Sequence, residues 1–421
     1  MQRTLNACFA IGLIFILLGL VCNEWAIAKI FSPDGIFETV TRKKIYVFDL
    51  VCITLGLVVI KYRKRITHIF EVLPTVVRSH SLLRICLINV FFAVTIWFCF
   101  ELIFFTLNSY DAHKVTLTIT ENNPKDFYQP DDLLGYKPKP NSKFAALLKV
   151  DTNTIYNVTY SIDNFSRRIT PVVNTQHRNS FILFFGDSFT FGIGVSDNET
   201  LPSYVAELAS QHMPYNYGFP AYGPQTMLAK LQSGTMRKEI AEREGIAVYT
   251  FIDDHILRAT GSFALHSFIQ SAPYFMLTSD GRLIRKDTFA SGRPFLSFLH
   301  RTVGKSQVLK YFPINAGLPI INKDIKVTCR IIEESHRAFK EQFKNSDFYV
   351  IFYPGSRYAS TMIPHLTNVG IHCLDYSDVF NCSKEEFRIS VYDVHPTAKA
   401  HRVLAKQLMQ DIAKLQTQRH E

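Results

Sequence analysis

The sequence predicts an α/β fold: a three-layer α/β/α domain with a parallel sheet, preceded by a small β-rich lead-in and three transmembrane helices. Three observations predict it. From residue 181 onward, apolar β-prone runs alternate with helical patterns, and that alternation implies a parallel sheet covered by helices on both faces. Residues 109–172 carry Thr-, Tyr- and Val-rich segments with no helical period. Long apolar runs are confined to the first 108 residues. A chain of 421 residues has room for all three parts. The expected domains are therefore 1–108, 109–172 and 173–421.

The membrane part comes first. Residues 7–23, 45–61 and 85–107 are apolar runs; the first two are near the minimum length for a span and the third is ample. They raise the hydrophobic fraction to 47%. A cleavable signal peptide is the alternative for the first run, because Arg3 precedes its apolar core. No small-x-small cleavage site follows it. Between the second and third runs lie Lys61, Arg63, Lys64, Arg65, Arg78 and Arg84, with Glu71 the only acid. That places this loop in the cytoplasm and everything after residue 108 outside. The loop supplies half of the net charge of +10, so the basic balance points to lipid contact rather than nucleic acid. Glu101, towards the outer end of the third run, is expected to snorkel to the interface.

Cys8, Cys22, Cys52, Cys86 and Cys99 fall in the apolar runs, where cysteine acts as a small apolar residue. Cys373 and Cys382 flank a short loop in the outer region and are candidates for a disulfide in an oxidising compartment. No cysteine–histidine spacing suggests a metal, and no phosphate-binding glycine loop appears, so no cofactor is expected.

In the lead-in, 114–120 alternates as a strand should, and 145–150 and 154–162 are strand-like. Its expected role is packing. Beyond it, strands are expected at 181–186, 215–218, 246–252, 347–353 and 370–375. Helices are expected near 201–213, 224–242, 325–343 and 396–415. Ala400, Leu404, Leu408, Ile412 and Leu415 repeat at helical spacing in the last, and Pro396 suits its first turn. Residues 256–323 have little periodicity and read as a long insertion. Sites on such sheets form at the carboxyl ends of strands, and Ser188, Gly218 and Asp253 all fall there.

Two motifs carry chemistry. Ile182-Leu183-Phe184-Phe185 stops at Gly186-Asp187-Ser188, which would bring a serine out at a strand end, well placed as a nucleophile. Tyr392-Asp393-Val394-His395-Pro396 precedes the last helix. A serine attacking a carbonyl needs a base, and the base needs an orienting acid.

These blocks, in this order, resemble those of the SGNH/GDSL hydrolase superfamily over roughly residues 173–417. The resemblance implies an SGNH-type fold with Ser188 as nucleophile, His395 as base and Asp393 as orienting acid. The family has two residues between acid and histidine; here only Val394 intervenes, and a helix-capping carboxylate is the alternative for Asp393. Asn216-Tyr217-Gly218 resembles the second block, which makes the Gly218 amide an oxyanion donor beside the Ser188 amide. The third block, usually Gly-x-Asn-Asp, is here Phe251-Ile252-Asp253-Asp254-His255. A carboxylate aimed at an oxyanion would repel it unless protonated or turned aside. His255 and Arg258 are candidates to compensate, while Asp254 could instead fix a loop.

The resulting expectation is a bacterial serine esterase, anchored in the inner membrane by several spans and facing outward. Its partners would be the lipid bilayer and an ester-bearing envelope glycan or lipid. Two alternatives stand beside it. One is an O-acyltransferase for a cell-envelope polysaccharide, which would need a membrane acyl-donor partner. The other is a non-catalytic SGNH-like binding module, motivated by the missing asparagine.

Overall fold

The computed structural model describes residues 2–21, 39–71, 90, 94, 95, 97, 98, 100–105, 115–120, 124–265, 269–308 and 320–418. The chain forms two compact units, Met1–Ala112 with His300–Pro319, and His113–Leu299 with Ile320–Glu421.

In the first unit, helices α1 (Gln2–Val21) and α2 (Thr39–Glu71) pack on each other, with Cys8, Phe15, Ile45 and Cys52 buried. Phe100 and Phe104 join this core, their rings 6.0 Å from Phe15 and 6.3 Å from Phe48. Within α2, Ile45–Arg65 is 21 residues long with mean hydropathy 2.0, enough to cross a bilayer. In α1 the described apolar stretch Cys8–Leu17 is shorter than a span. Most of 85–99, the bulk of the expected third span, lies outside the described residues. Among the described residues one helix, not three, thus has the length and composition of a span. The basic cluster Lys61–Arg65 is not in a loop; α2 runs through it to Glu71. Glu101 is held rather than snorkelling: its two carboxylate oxygens accept the Ser306 hydroxyl at 2.5 Å and the Gln307 amide at 2.6 Å.

The second unit begins with strand β1 (Val115–Thr120), a ribbon of β2 (Gln129–Asp131) and β3 (Gly135–Lys137), then β4 (Lys143–Val150) and β5 (Asn153–Ser161). β1, β4 and β5 form an antiparallel sheet in that order, with Leu117 opposite Leu148 and Ala146 opposite Val158. The central sheet then starts with β6 (Ser180–Phe185), followed by helices α3 (Ser188–Phe191) and α4 (Leu201–Leu208) and strand β7 (His212–Asn216). After these come α5 (Pro224–Gln232), α6 (Met236–Glu239), β8 (Gly245–Phe251) and α7 (Asp254–Thr260). The insertion holds the β9 (Pro273–Leu277) and β10 (Leu283–Thr288) hairpin and helices α8 (Phe289–Gly292) and α9 (Pro294–Val303). Helix α10 (Asn322–Gln342), β11 (Asp347–Phe352), α11 (Ala359–Thr367), β12 (His372–Asp375), the β13 (Arg388–Ser390) and β14 (Asp393–Pro396) ribbon and α12 (Ala398–Gln418) complete the chain.

The central sheet has five parallel strands in the order β12-β11-β8-β6-β7. Its strands are apolar on both faces because helices cover both. Phe181, Leu183 and Phe185 of β6 pack with Met227 of α5, Ile332 of α10 and Met362 of α11. The alternate Ile182 and Phe184 pack with Val205 of α4 and Leu404 of α12. The helix expected over 224–242 is two, since the chain turns at Ser233-Gly234 between α5 and α6.

Cys373 packs on the α10 side of the sheet and Cys382 on the α12 side, and both are free thiols. The sheet itself separates them, so the expected disulfide is not formed.

Candidate active site

At the end of β6, Gly186 adopts φ +152°, and a Cβ there would stand 2.1 Å from Thr190 Oγ1. Only glycine turns the chain this sharply here. The turn delivers Asp187, whose carboxylate caps α3 by accepting the Phe189 amide at 2.9 Å. Ser188 is then the first residue of α3, at the carboxyl edge of a central strand. It is 8% exposed. Among the described residues its amide and its hydroxyl have no protein hydrogen-bond acceptor.

Helix α3 packs beside β14, with the Phe189 ring 5.3 Å from the His395 imidazole. Asp393 Oδ1 is 2.5 Å from His395 Nδ1 and accepts the His395 backbone amide at 3.0 Å. The short spacing works because the carboxylate folds back over a tight turn and meets both groups at once. Burial raises the Asp393 pKa, but the hydrogen bond and charge of His395 outweigh it and leave the carboxyl below its ordinary value. A proton held at Nδ1 leaves Nε2 as the basic nitrogen. No Ser188–His395 hydrogen bond is formed, and such bonds commonly tighten only when substrate binds.

The Gly218 amide donates to Asn216 Oδ1 at 3.0 Å, while Asn216 Nδ2 donates to the Thr190 carbonyl at 3.1 Å. Asn216 thus ties the loop after β7 to the turn after the nucleophile. A Cβ on Gly218 would lie 2.7 Å from the Phe191 nitrogen. The close approach of the two segments is therefore as visible a reason for this glycine as its amide.

The carboxylates of the third block have partners of their own. Asp253 accepts the Ser356 hydroxyl at 2.8 Å and both the backbone amide and the Nε of Arg357 at 3.1 Å. Asp254 is exposed, 3.7 Å from Arg258. His255 and Arg258 do not compensate as free donors: Arg258 is bound to Asp187, and His255 is buried beside the same carboxylate. Arg258 Nη1 lies 2.6 Å from Asp187 Oδ2 and also donates to the Tyr222 carbonyl at 2.8 Å. His255 Nε2 is 3.5 Å from the same carboxylate, and its Nδ1 lies 2.7 Å from the Tyr249 hydroxyl. His255 is completely buried, which pulls its pKa down and keeps it neutral. Burial raises the Asp187 pKa, yet Arg258 and His255 more than reverse this and hold it far below the usual carboxylate range. The residue before Ser188 is thus a buried, ionised anchor.

Arg168 carries no signal in the sequence beyond its place after the lead-in strands. It is fully buried, with its guanidinium stacked 4.6 Å from the Tyr160 ring. It donates to the carbonyls of Phe191, Gly192 and Val195 at 2.7, 2.5 and 2.7 Å, and to Asp197 at 3.0 Å. The lead-in ring of Phe127 packs 5.9 Å from Phe191 and 5.1 Å from Phe219. The lead-in therefore braces the loops beside Ser188 and Gly218. A cavity of about 320 Å³ opens between the two parts, lined by Arg167, Tyr217, Lys230, Gly186 and Gly218; neither Ser188 nor His395 lines it.

No family model matches the chain, and no curated protein matches it. Solved structures do. An acetyl xylan esterase from the rumen bacterium Butyrivibrio proteoclasticus is 12% identical over 67% of this chain and 73% of its own, with a TM-score of 0.35. A member of the lipolytic G-D-S-L family from Veillonella parvula is 12% identical over 55% of this chain and 97% of its own, TM-score 0.30. A protein titled a GDSL-like lipase from Parabacteroides merdae is 12% identical over 57% and 98%, TM-score 0.30.

Proposed function

We propose that this chain is a membrane-anchored serine hydrolase of the SGNH/GDSL type. It acts on an ester of an envelope glycan or lipid through an acyl-serine intermediate. The observation that carries this reading is the Asp393–His395 pair, 2.5 Å apart, beside the helix that begins with Ser188.

In this mechanism Ser188 Oγ attacks the ester carbonyl carbon as His395 Nε2 takes its proton. The carbonyl π electrons move to oxygen, and the Ser188 amide at the start of α3 faces the resulting oxyanion. The Gly218 amide joins it if its bond to Asn216 is exchanged for the oxyanion. Collapse breaks the bond to the leaving alcohol, which receives the proton from His395. Water, activated by the same imidazole, then attacks the acyl-serine and releases the acid. Transfer to a sugar hydroxyl shares every step except the last nucleophile. The carboxylate-held histidine weighs against a purely binding role.

Anchorage is supported by the span-length stretch in α2 and by the basic residues that follow its apolar core. With those basic residues in the cytoplasm, the hydrolase domain faces outside only if the apolar run 85–107 crosses as well, and this reading includes that crossing.

The test is labelling of the purified full chain with a fluorophosphonate probe, followed by peptide mapping. One adduct, on Ser188, is expected, and Ser188→Ala should abolish it while leaving the unfolding transition in place. Labelling that persists in the variant would assign the nucleophile elsewhere. Incubating the acyl-enzyme with a glycan acceptor separates transfer from hydrolysis.

A further inference from the structure

Helix α9 has its polarity reversed relative to an ordinary surface helix. Phe295, Leu299 and Val303 form a stripe at a spacing of four residues, and Leu296 widens it. These side chains are exposed, Phe295 at 78%. The residue turned inward is Ser297, which is buried and donates to the Phe289 carbonyl at 2.9 Å. A helix that buries its serine and exposes its phenylalanine is built for a non-aqueous neighbour.

Two further observations identify that neighbour. From Thr288 to Lys323 there is no acidic residue, while Arg293, Arg301, Lys305, Lys310 and Lys323 are all basic. An apolar stripe with Arg301 and Lys305 at its C-terminal end and no acid within its own helix suits the surface of an anionic bilayer. Secondly, Ser306 and Gln307 grip Glu101 within the first unit. Only Gly304 and Lys305 separate Val303 from Ser306, so the stripe ends within about 10 Å of that anchor along the chain.

We infer that α9 lies in the plane of the membrane interface, with Phe295, Leu299 and Val303 inserted among the lipid tails and Arg301 and Lys305 at headgroup level. This rests on the proposed membrane anchorage. It gives the insertion a role as a second, peripheral membrane contact distinct from the spanning segment.

The test uses the full chain in nanodiscs of mixed phosphatidylethanolamine and phosphatidylglycerol, with benzoylphenylalanine placed singly at Phe295, Leu57 or Val173. Leu57 is an exposed position on α2, and Val173 is an exposed apolar position on the hydrolase unit. After irradiation, a mass increase of one phospholipid is expected at Phe295 and Leu57 but not at Val173. Lipid adducts at Leu57 with none at Phe295 would overturn the inference and leave the anchorage standing. A covalent dimer through Phe295 would overturn it in favour of a contact between copies. Absence of adducts at Leu57 as well would sink the anchorage and the inference together.

Discussion

Asp393 meets His395 across a single intervening residue, its Oδ1 accepting both the backbone amide and Nδ1 of the same histidine. The acid is therefore positioned by the very residue it orients. Asp393→Asn keeps the shape but favours the wrong imidazole tautomer. Turnover of an activated ester at neutral pH should fall by roughly 10³–10⁴, with KM little changed. His395→Ala should cost at least as much. Near-full activity of the asparagine variant, measured by steady-state hydrolysis, would make Asp393 a turn-former only.

Asp253→Asn should not restore a missing oxyanion donor. The carboxylate accepts three hydrogen bonds from Ser356 and Arg357, and an amide loses one acceptor and the charge. A loss of about 1–3 kcal/mol in stability is expected, since hydrogen bonds to charged groups are worth more than neutral ones. Activity per folded molecule should stay within a few-fold. A clear rise in turnover would mean that the side chain can swing to the serine after all.

Arg258→Met removes the main counter-charge of a fully buried carboxylate. Breaking such a pair typically costs about 3–5 kcal/mol, read as a shift of the unfolding midpoint. The paired variant Asp187→Asn/Arg258→Met should recover part of that loss. Failure of the double variant to recover anything would show that the two side chains act independently.

His401 of α12 is completely buried and has no hydrogen-bond partner at either ring nitrogen. Burial, with the nearby charges of Arg168 and His395, pulls its pKa down to about 3. The unfolded chain binds a proton there near pH 6.5 and the folded chain does not, so this site lowers stability as pH falls from about 6.5 to about 3. The slope is about 1.4 kcal/mol per pH unit. His401→Leu should flatten the fall in unfolding free energy between pH 7 and pH 4.5. An unchanged slope would remove His401 from the account.

Periodicity made the sheet legible: all five strands stand within a few residues of where apolar runs and turn signals put them. The place of Ser188 at a strand end and the contact of Asp393 with His395 were readable because each sits in a short local motif. What was not readable depends on partners distant in the chain. Asp253 looks like a failed oxyanion donor until Arg357, over a hundred residues later, is seen to hold it. His255 and Arg258 look like spare donors until both are found beside Asp187. The Cys373–Cys382 pairing looked natural from spacing alone, but nothing local reveals that a sheet stands between the two thiols. The hairpin in the insertion was hidden because Arg285, Lys286 and Asp287 interrupt any alternation in β10.

Arg168 has a bearing on how this domain can be transplanted. A module excised at residue 173, where the family resemblance begins, would take the Arg168 guanidinium away from the carbonyls of Phe191, Gly192 and Val195. The rings of Phe191 and Phe219 would be stripped of Phe127 at the same time. The smallest heritable piece of this domain therefore starts near Pro124. A natural fusion or an engineered chimaera that keeps the sheet must carry the three-stranded lead-in with it, or replace its arginine.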